Sequence, residues 1–143
     1  MTTKTLRDSF PDLADYHAPA SFECFVADLK ASARAGGEPV INPRLFASAL
    51  GMDIQTLAAR AHVHRTTINR AQGAEKLQSF LRDVLRVLGA AADINGKLPD
   101  VLFWFRNEPI STFDYQPPEQ LVSEGRADDL LRYVQSLKAG GVG

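Results

Sequence analysis

The feature of this sequence that most constrains its fold is a run of helical periodicity between residues 75 and 92. Apolar side chains recur there at spacings of three and four residues, and Arg82, Asp83 and Arg86 lie on the opposite side. A broad apolar stripe with a charged reverse side is typical of a helix that packs on a core. The sequence therefore predicts a long amphipathic helix. Its stripe consists of Leu77, Phe80, Leu81, Val84, Leu85 and Leu88.

Shorter helices are predicted on both sides of the long one, because capping residues, prolines and glycines mark their ends. Ser21 and Asp53 are suitable N-caps, Pro43 suits a first helical turn, and Gly51 suits a helix end. No segment alternates convincingly between apolar and polar residues as a strand does. The predicted fold class is therefore all-α. The shorter helices are expected from Ser21 to about residue 35, where Gly36-Gly37 ends the first, and at about 43–50, 54–61, 65–71, 100–106, 119–122 and 127–137.

The length and the single cysteine place limits on the architecture and the setting. A chain of 143 residues can form one core, or two small helical modules that share one. Since Cys24 has no cysteine partner in the chain, no internal disulfide can form, and a reducing cytosol is the natural setting. The residues after Met1 contain no apolar stretch that resembles a signal sequence, and no window has the roughly 18 apolar residues that a membrane helix needs. We expect a soluble, cytoplasmic protein.

The net charge of −1 hides an uneven distribution of charge along the chain. Residues 43–72 contain four arginines and one aspartate, a balance of +3, whereas residues 99–139 contain seven acidic and four basic residues, a balance of −3. A basic middle followed by an acidic C-terminal third suggests two surfaces with different partners.

The segment 57–70 has the pattern of two helices that meet through a tight turn. The small residue Ala58 suits the point where the helices cross. The second helix would then expose arginine, asparagine and threonine, which hydrogen bond guanine, adenine and phosphates respectively. The apolar residues that would fix the crossing are Leu57, Ala61, Val63 and Ile68. The candidate DNA-contacting residues are Gln55, Thr56, His64, Arg65, Thr66, Thr67, Asn69 and Arg70.

This segment resembles the helix-turn-helix of Xre-type repressors, and residues 65–71 would be the recognition helix. Two residues depart from the usual pattern of that family. His64 stands where serine or threonine usually caps the recognition helix, and His62 stands where glycine usually provides a positive φ. The alternative interpretation is a helical hairpin that serves only as a scaffold, with its charges solvated.

From about Phe80 onward the chain resembles the C-terminal half of the Xre–MbcA–ParS antitoxin family. Together with the helix-turn-helix, the resemblance covers about residues 43–143. Two departures are the sequence 112–115, where family members have a Gly-Gly-like turn, and the acidic pair Asp128-Asp129 after the Glu-Gly-Arg turn. The matching motifs are the helix from Phe80 to Ala92, Leu98-Pro99, Trp104-Phe105, Asn107-Glu108-Pro109-Ile110, Pro118-Glu119-Gln120-Leu121-Val122, Glu124-Gly125-Arg126 and Leu130-Leu131-Arg132-Tyr133-Val134.

The resemblance implies the antitoxin of a type II toxin-antitoxin system, which represses its own operon and neutralises a RES-domain toxin that consumes NAD. We expect three parts: an N-terminal arm and helix (1–40), which lies outside the resemblance, a helix-turn-helix module (41–73) and a small helical toxin-binding and dimerisation module (74–143). In this family the C-terminal end covers the mouth of the toxin's active site. The implied toxin-binding residues are Arg106, Phe113, Tyr115, Glu119, Arg126, Tyr133, Leu137, Lys138, Gly140 and Gly141.

The residue types of the C-terminal half are compatible with a protein interface. Aromatic residues and arginine are favoured at interface centres, and several occur between residues 104 and 115. The alternative is that these side chains form the core of a small module. We expect Trp104 to be core, and Phe113 and Tyr115, on a loop flanked by prolines, to be contacts.

One helix-turn-helix contacts one half-site of an operator, so we expect a homodimer within a larger toxin-antitoxin complex. The long helix has enough apolar surface to serve both the core and a second copy of the chain. The residues of this predicted dimer interface, the dimer seam, are Leu77, Leu81, Leu85 and Leu88. The histidines have no metal-ligand companions and no glycine loop cradles a phosphate, so we expect no metal, cofactor or catalysis. The alternative functions are a dimeric adaptor that does not touch DNA, and a plain transcriptional repressor without a toxin.

Overall fold

The longest helix, α5 (Glu75–Asn95), lies at the centre of the fold. The computed structural model describes residues 16–31, 34–35 and 38–140. Over these residues the all-α fold predicted from the sequence is confirmed. The other helices are α1 (Phe22–Ala31), α2 (Pro43–Leu50), α3 (Ile54–Ala61), α4 (Arg65–Arg70), α6 (Leu98–Asn107), α7 (Pro118–Ser123) and α8 (Ala127–Lys138).

A continuous hydrophobic core joins the N-terminal helices to the C-terminal ones. Helices α1, α3, α6, α7 and α8 all pack against α5. The buried residues of this core run from Phe25 in α1 to Val134 in α8. Packing of an amphipathic face contributes more to the stability of a helix in a protein than intrinsic propensity does. The three segments inferred from the sequence therefore share one core.

The dimer seam predicted on α5 is not a surface of this fold. Leu77, Leu81 and Leu88 are fully buried within the single chain, and Leu85 is only 8% exposed. The periodicity gave the width of the apolar stripe but not the number of helices that cover it. Since neighbouring helices of the same chain bury the stripe, its leucines belong to the core of the single chain in this fold.

Local signals predicted the ends of α2 and α3 correctly. Asn42 caps α2, Pro43 occupies its first turn, and Gly51 ends it in the left-handed conformation with a φ of 71°. Asp53 Oδ1 accepts a hydrogen bond from the backbone N–H of Thr56 at 2.7 Å and so caps α3. Each cap satisfies N–H groups that have no partner inside the helix.

Helix α1 ends earlier than the sequence predicted. Its described residues run to Ala31, and residues 34 and 35, which the prediction placed in the helix, belong to a strand. The next described residues form β1 (Arg34–Ala35), which pairs with β2 (Glu38–Pro39) as a short antiparallel hairpin. The intervening Gly36 and Gly37, predicted to end the helix, lie outside the described residues.

A tight loop connects α6 to α7. One turn of 3-10 helix, Ser111–Phe113, is closed by an antiparallel bridge between Ile110 and Gln116. Asp114 and Tyr115 follow that turn with left-handed φ values of 56° and 63°. Such a φ is rare for a bulky residue such as tyrosine. The loop leaves Tyr115 69% exposed.

Candidate functional site

Helices α3 and α4 meet through a short turn whose conformation is set at His62. This residue ends α3 with a φ of 58°, in the left-handed region. The N–H of Val63 then donates to the carbonyl of Ala58 at 3.0 Å, which satisfies the C-terminal end of α3. The positive φ that is usually given to glycine at this position is therefore present, although the residue is histidine.

His64 caps the next helix, as the sequence suggested for this position. Its Nδ1 atom accepts a hydrogen bond from the backbone N–H of Thr66 at 3.3 Å. Behind the cap, Ile68 of α4 and Leu57 of α3 are fully buried, and Ala58 of α3 is buried. The small and apolar residues predicted at the crossing thus form the inner face of the α3–α4 pair.

The outer face of α4 carries most of the residues predicted to contact DNA. Thr67 is half-buried on this helix, while Gln55 is exposed and Thr56 half-buried in the first turn of α3. The spacing of four residues places Arg65 and Asn69 on the same side of α4. The exposed residues of the cap and outer face are His64, Arg65, Thr66, Asn69 and Arg70.

Arg44 lies beside this outer face, although the sequence did not predict it as a contact. It stands in the first turn of α2, and its Nη2 atom donates a hydrogen bond to Asn69 Oδ1. The two residues are 25 positions apart, so no local pattern connects them. The sequence showed an excess of arginine between residues 43 and 72, but it did not show which of these arginines reaches α4.

A buried ion cluster joins α3 to the C-terminal half of the chain. Glu119 of α7 is only 2% exposed. Arg60 Nε of α3 lies 2.9 Å from Glu119 Oε2, and Arg106 Nε of α6 lies 2.8 Å from Glu119 Oε1. The contact between Arg106 Nε and Glu119 Oε1 is an ion pair but not a hydrogen bond, because the N–H group is not aligned with the oxygen. Two guanidinium groups compensate for the burial of one carboxylate, which would be strongly unfavourable without them.

Glu119 and Arg106 were predicted as toxin contacts, and the structure gives both a different role. Glu119 is enclosed by the ion cluster and is not available to a partner in this fold. Arg106 is half-buried and also donates from Nη1 to the carbonyl of Leu50 at 3.0 Å, which ties α6 to the end of α2. A charged residue is usually exposed, and the two arginines that permit burial here come from two other helices, α3 and α6.

Hydrogen bonds reinforce the ion cluster at the turn between α3 and α4. Ser123 Oγ of α7 donates to the carbonyl of Arg60 at 2.7 Å. The carbonyl of Ser123 lies 2.9 Å from His62 Nε2, and because a carbonyl only accepts, this nitrogen carries the proton. Gln120 also accepts a hydrogen bond from Arg60 Nη1. The turn that leads into α4 is thus bonded directly to α7. We name this set of contacts, made by Arg60, His62, Arg106, Glu119, Gln120 and Ser123, the clamp.

Phe113 was predicted as a partner contact but belongs to the core, with 8% of its surface exposed. The Arg126 guanidinium carbon lies 5.0 Å from the centre of the Phe113 ring. The Tyr133 ring meets Phe113 edge to face, with 5.8 Å between ring centres. Flanking prolines suggested an exposed loop, but α8 supplies the aromatic neighbour that buries Phe113. Tyr115 remains exposed, as expected.

The end of α8 forms a shallow groove with α5 and α6. Leu137 is half-buried, and Lys138 Nζ lies 3.6 Å from Asp93 Oδ2. Gly140 has a φ of 87°, and Gly141, predicted as a toxin contact, lies outside the described residues. The groove has a volume of about 140 Å³ and is lined by Ala91, Ile94, Asn95, Asp100, Val101, Trp104, Val134 and Leu137. Trp104 is partly buried against the core, as expected.

Large apolar side chains are exposed at three places in the described part of the chain. Phe103 is 70% exposed on α6, Tyr115 is 69% exposed on the loop after it, and Ile94 is 47% exposed near the end of α5. All three belong to the C-terminal half. Isolated exposed apolar residues are ordinary, so the position of these three in one half of the chain matters more than their number.

Comparisons with protein-family models, curated proteins and solved structures find no match to this chain. Among the described residues, no helix has both the length and the apolar character to cross a membrane. Within the same part of the chain, histidine, cysteine and acidic side chains do not gather into a group that could hold a metal ion.

Proposed function

We propose that this protein is the antitoxin of a type II toxin-antitoxin system, with a DNA-binding surface on α4 and a toxin-binding surface in its C-terminal half. The observation that carries the proposal is the α3–α4 pair, whose inner face is apolar and buried while its outer face exposes arginine, asparagine and threonine. These are the side chains that bind base edges and phosphates in the major groove.

The charge distribution supports two separate surfaces. The arginine-rich segment 43–72 contains α2, α3 and α4, and the acidic segment 99–139 contains α6, α7 and α8. A negatively charged C-terminal half would repel DNA, which favours contact through the arginine-rich helices alone. Two copies would occupy the half-sites of a symmetric operator. The protein would act as a cytoplasmic homodimer within a larger complex.

The proposed partner of the C-terminal half is a RES-domain toxin that consumes NAD. This part of the proposal rests on the resemblance of residues 80–143 to Xre–MbcA–ParS antitoxins. The exposed side chains of Phe103 and Tyr115 favour a protein partner, because buried aromatic anchors dominate the binding energy of many interfaces. Arg126, Tyr133, Leu137 and Lys138 stay within the proposed contact surface, whereas Glu119 and Phe113 do not.

The DNA-binding half of the proposal is tested with purified protein and the promoter fragment of its own operon. We expect the wild type to retard the fragment at low salt and less at moderate salt, because phosphate contacts release counterions. The double variant Arg65→Ala, Arg70→Ala should lose this binding. Arg82→Ala is the matched control, since Arg82 is an exposed arginine on α5 that pairs with Glu75 on the same helix. Full footprint protection by the double variant would overturn the assignment of α4.

The toxin-binding half is tested in cells that express the product of a neighbouring reading frame together with this protein. Co-expression should restore growth and NAD levels if that product is a RES-domain toxin. If the protein protects cells from the toxin but does not bind the promoter fragment, the adaptor function would be favoured. Promoter binding without protection or complex formation would favour a plain repressor.

A further inference from the structure

Arg44 fixes the orientation of the Asn69 side chain on the outer face of α4. The guanidinium group has only donors, so the atom of the Asn69 amide that faces it must be the acceptor oxygen, Oδ1. The Nδ2 group, on the other branch of the planar amide, therefore points away from Arg44. Because Asn69 itself is exposed, this Nδ2 group is accessible from solvent.

Arg44 is held in place to do this by the start of α2. Asn42 Oδ1 accepts hydrogen bonds from the backbone N–H groups of Arg44 and Leu45, and Pro43 restricts the backbone of the same turn. Arg44 is half-buried, while Asn69 is exposed. The pair therefore joins a supported arginine on one helix to an exposed amide on another.

This orientation changes which base an asparagine can recognise. A free asparagine reads adenine with both branches of its amide, since Oδ1 accepts from N6 and Nδ2 donates to N7. In this protein Oδ1 accepts from Arg44, and the positive charge beside this oxygen disfavours the approach of a second donor such as adenine N6 to its other lone pair. The groups best placed for a base are therefore donors: the N–H groups of Asn69 Nδ2 and those of Arg44 outside the pair. The major-groove edge of guanine offers two acceptors, N7 and O6, and no donor.

We infer that Arg44 positions Asn69 so that the pair selects guanine rather than adenine at one operator position. Arg44 is thus a positioning and specificity-determining residue. The inference rests on the proposed DNA-binding function and specifies which base one part of α4 would recognise.

The test is selection from a pool of DNA duplexes with a randomised core, carried out with the full-length protein and followed by sequencing. The position read by Asn69 is the one whose base preference is lost in Asn69→Ala. The wild type should enrich guanine over adenine there by about tenfold or more. Arg44→Met, which keeps an unbranched apolar stem but removes the guanidinium donors, should lose this preference or shift it toward adenine. Arg44→Lys, which retains a donor for Oδ1, should largely preserve it.

Base preference separates a positioning role from a simple loss of charge or folding. Arg82→Ala removes one exposed arginine elsewhere, so it should leave the preference at that position unchanged, and circular dichroism should show that every variant is folded. Two results would overturn the inference while leaving DNA binding intact. One is enrichment of adenine by the wild type at the position that Asn69 reads, and the other is an undiminished preference of Arg44→Met for guanine there. The same holds if Asn69→Ala alters no position. A wild type that enriches no sequence would overturn the proposed function and this inference together.

Discussion

Arg60 Nε of α3 lies 2.9 Å from Glu119 Oε2 of α7, and this pair connects the helix before the proposed recognition helix to the C-terminal half. The two residues are 59 positions apart. Arg106 of α6 approaches the other oxygen of the same buried carboxylate. The orientation of α4 on the protein is therefore set in part by residues of the C-terminal half, through α3 and the turn at His62.

The Arg60–Glu119 pair should show measurable thermodynamic coupling. In a double-mutant cycle of Arg60→Ala and Glu119→Gln, we expect a coupling energy of about 1–3 kcal/mol, because loss of one partner leaves a buried group poorly compensated. The measurement is the free energy of unfolding in urea. The exposed pair Asp129–Arg132 on α8 is the control, and there the coupling should stay below about 1 kcal/mol. Equal coupling in both cycles would contradict the buried character of the clamp.

The turn between α3 and α4 gives a second prediction, which concerns backbone strain at His62. Asparagine tolerates the left-handed conformation better than most residues, whereas a β-branched side chain is strained there. We expect His62→Val to be less stable than His62→Asn by about 1–2 kcal/mol. Both variants lose the hydrogen bond from His62 Nε2 to the carbonyl of Ser123, so that loss cancels in the comparison. Identical unfolding midpoints would mean that the φ of this residue contributes nothing to stability.

A third prediction concerns the pH dependence of stability at Asp53. The hydrogen bond from the backbone N–H of Thr56, and next the one from its hydroxyl, hold the pKa of Asp53 below its ordinary value. The folded pKa thus lies below the unfolded one. The resulting stabilisation is fully present above the unfolded pKa of about 3.9 and is lost as the pH falls through the lowered folded pKa.

Asp53→Asn separates this ionisation from the cap itself. Asparagine retains an acceptor oxygen for the Thr56 N–H but does not ionise. The stability of the wild type relative to Asp53→Asn should therefore decline as the pH falls below about 5. Thermal unfolding followed by circular dichroism measures this difference. Parallel stability curves for the two proteins would show that the charge of Asp53 does not contribute.

The correction to the dimer seam gives a fourth prediction. Leu81 is fully buried in the core of the single chain, whereas Ile94 on the same helix is 47% exposed. Leu81→Ala should lower the free energy of unfolding by about 2–5 kcal/mol, and Ile94→Ala by less than about 1 kcal/mol. The folded Leu81→Ala protein should keep the wild-type mass in light scattering. If Leu81→Ala instead lost the dimer with little change in the free energy of unfolding, the predicted dimer interface on α5 would be correct.

The parts of the fold that depend on nearby residues were predictable from the sequence. The first turn at Pro43, the cap at Asp53 and the turn at His62 involve groups within a few positions of one another, so local patterns contain the information. Periodicity also identified α5 as the dominant helix. It could not show that the neighbours of Leu81 belong to the same chain, because a buried stripe and a dimer seam have the same spacing.

The parts of the candidate site that depend on distant residues were missed or misassigned. Glu119 was expected at a surface, and its burial depends on Arg60 and Arg106, which come from two other helices. The contact between Arg44 and Asn69 likewise depends on how α2 packs beside α4. A single sequence gives residue types and local spacing, but pairs of this kind require the tertiary structure.

The last prediction concerns the C-terminal tail and asks which part of the C-terminal half would inhibit the proposed toxin. Helix α8 ends at Lys138, so a protein that ends at residue 138 keeps the helix, the half-buried Leu137 and the contact of Lys138 with Asp93. A protein that ends at residue 136 also loses those contacts and one side of the groove with Trp104. Both truncations should bind the promoter fragment like the wild type, because the α3–α4 pair is distant in sequence and makes its contacts with α7 rather than with the tail.

Toxin neutralisation should distinguish the two truncated proteins. If the tail enters the toxin's active site, both should fail to protect growth and NAD levels at matched abundance. If the folded groove is the contact, the protein that ends at residue 138 should protect and the shorter one should not. Protection by both would show that neither the tail nor Leu137 is needed, which would place inhibition on the surface around the exposed Tyr115 and Phe103. Substituting each of those two aromatic residues by serine would then decide which of them binds the toxin.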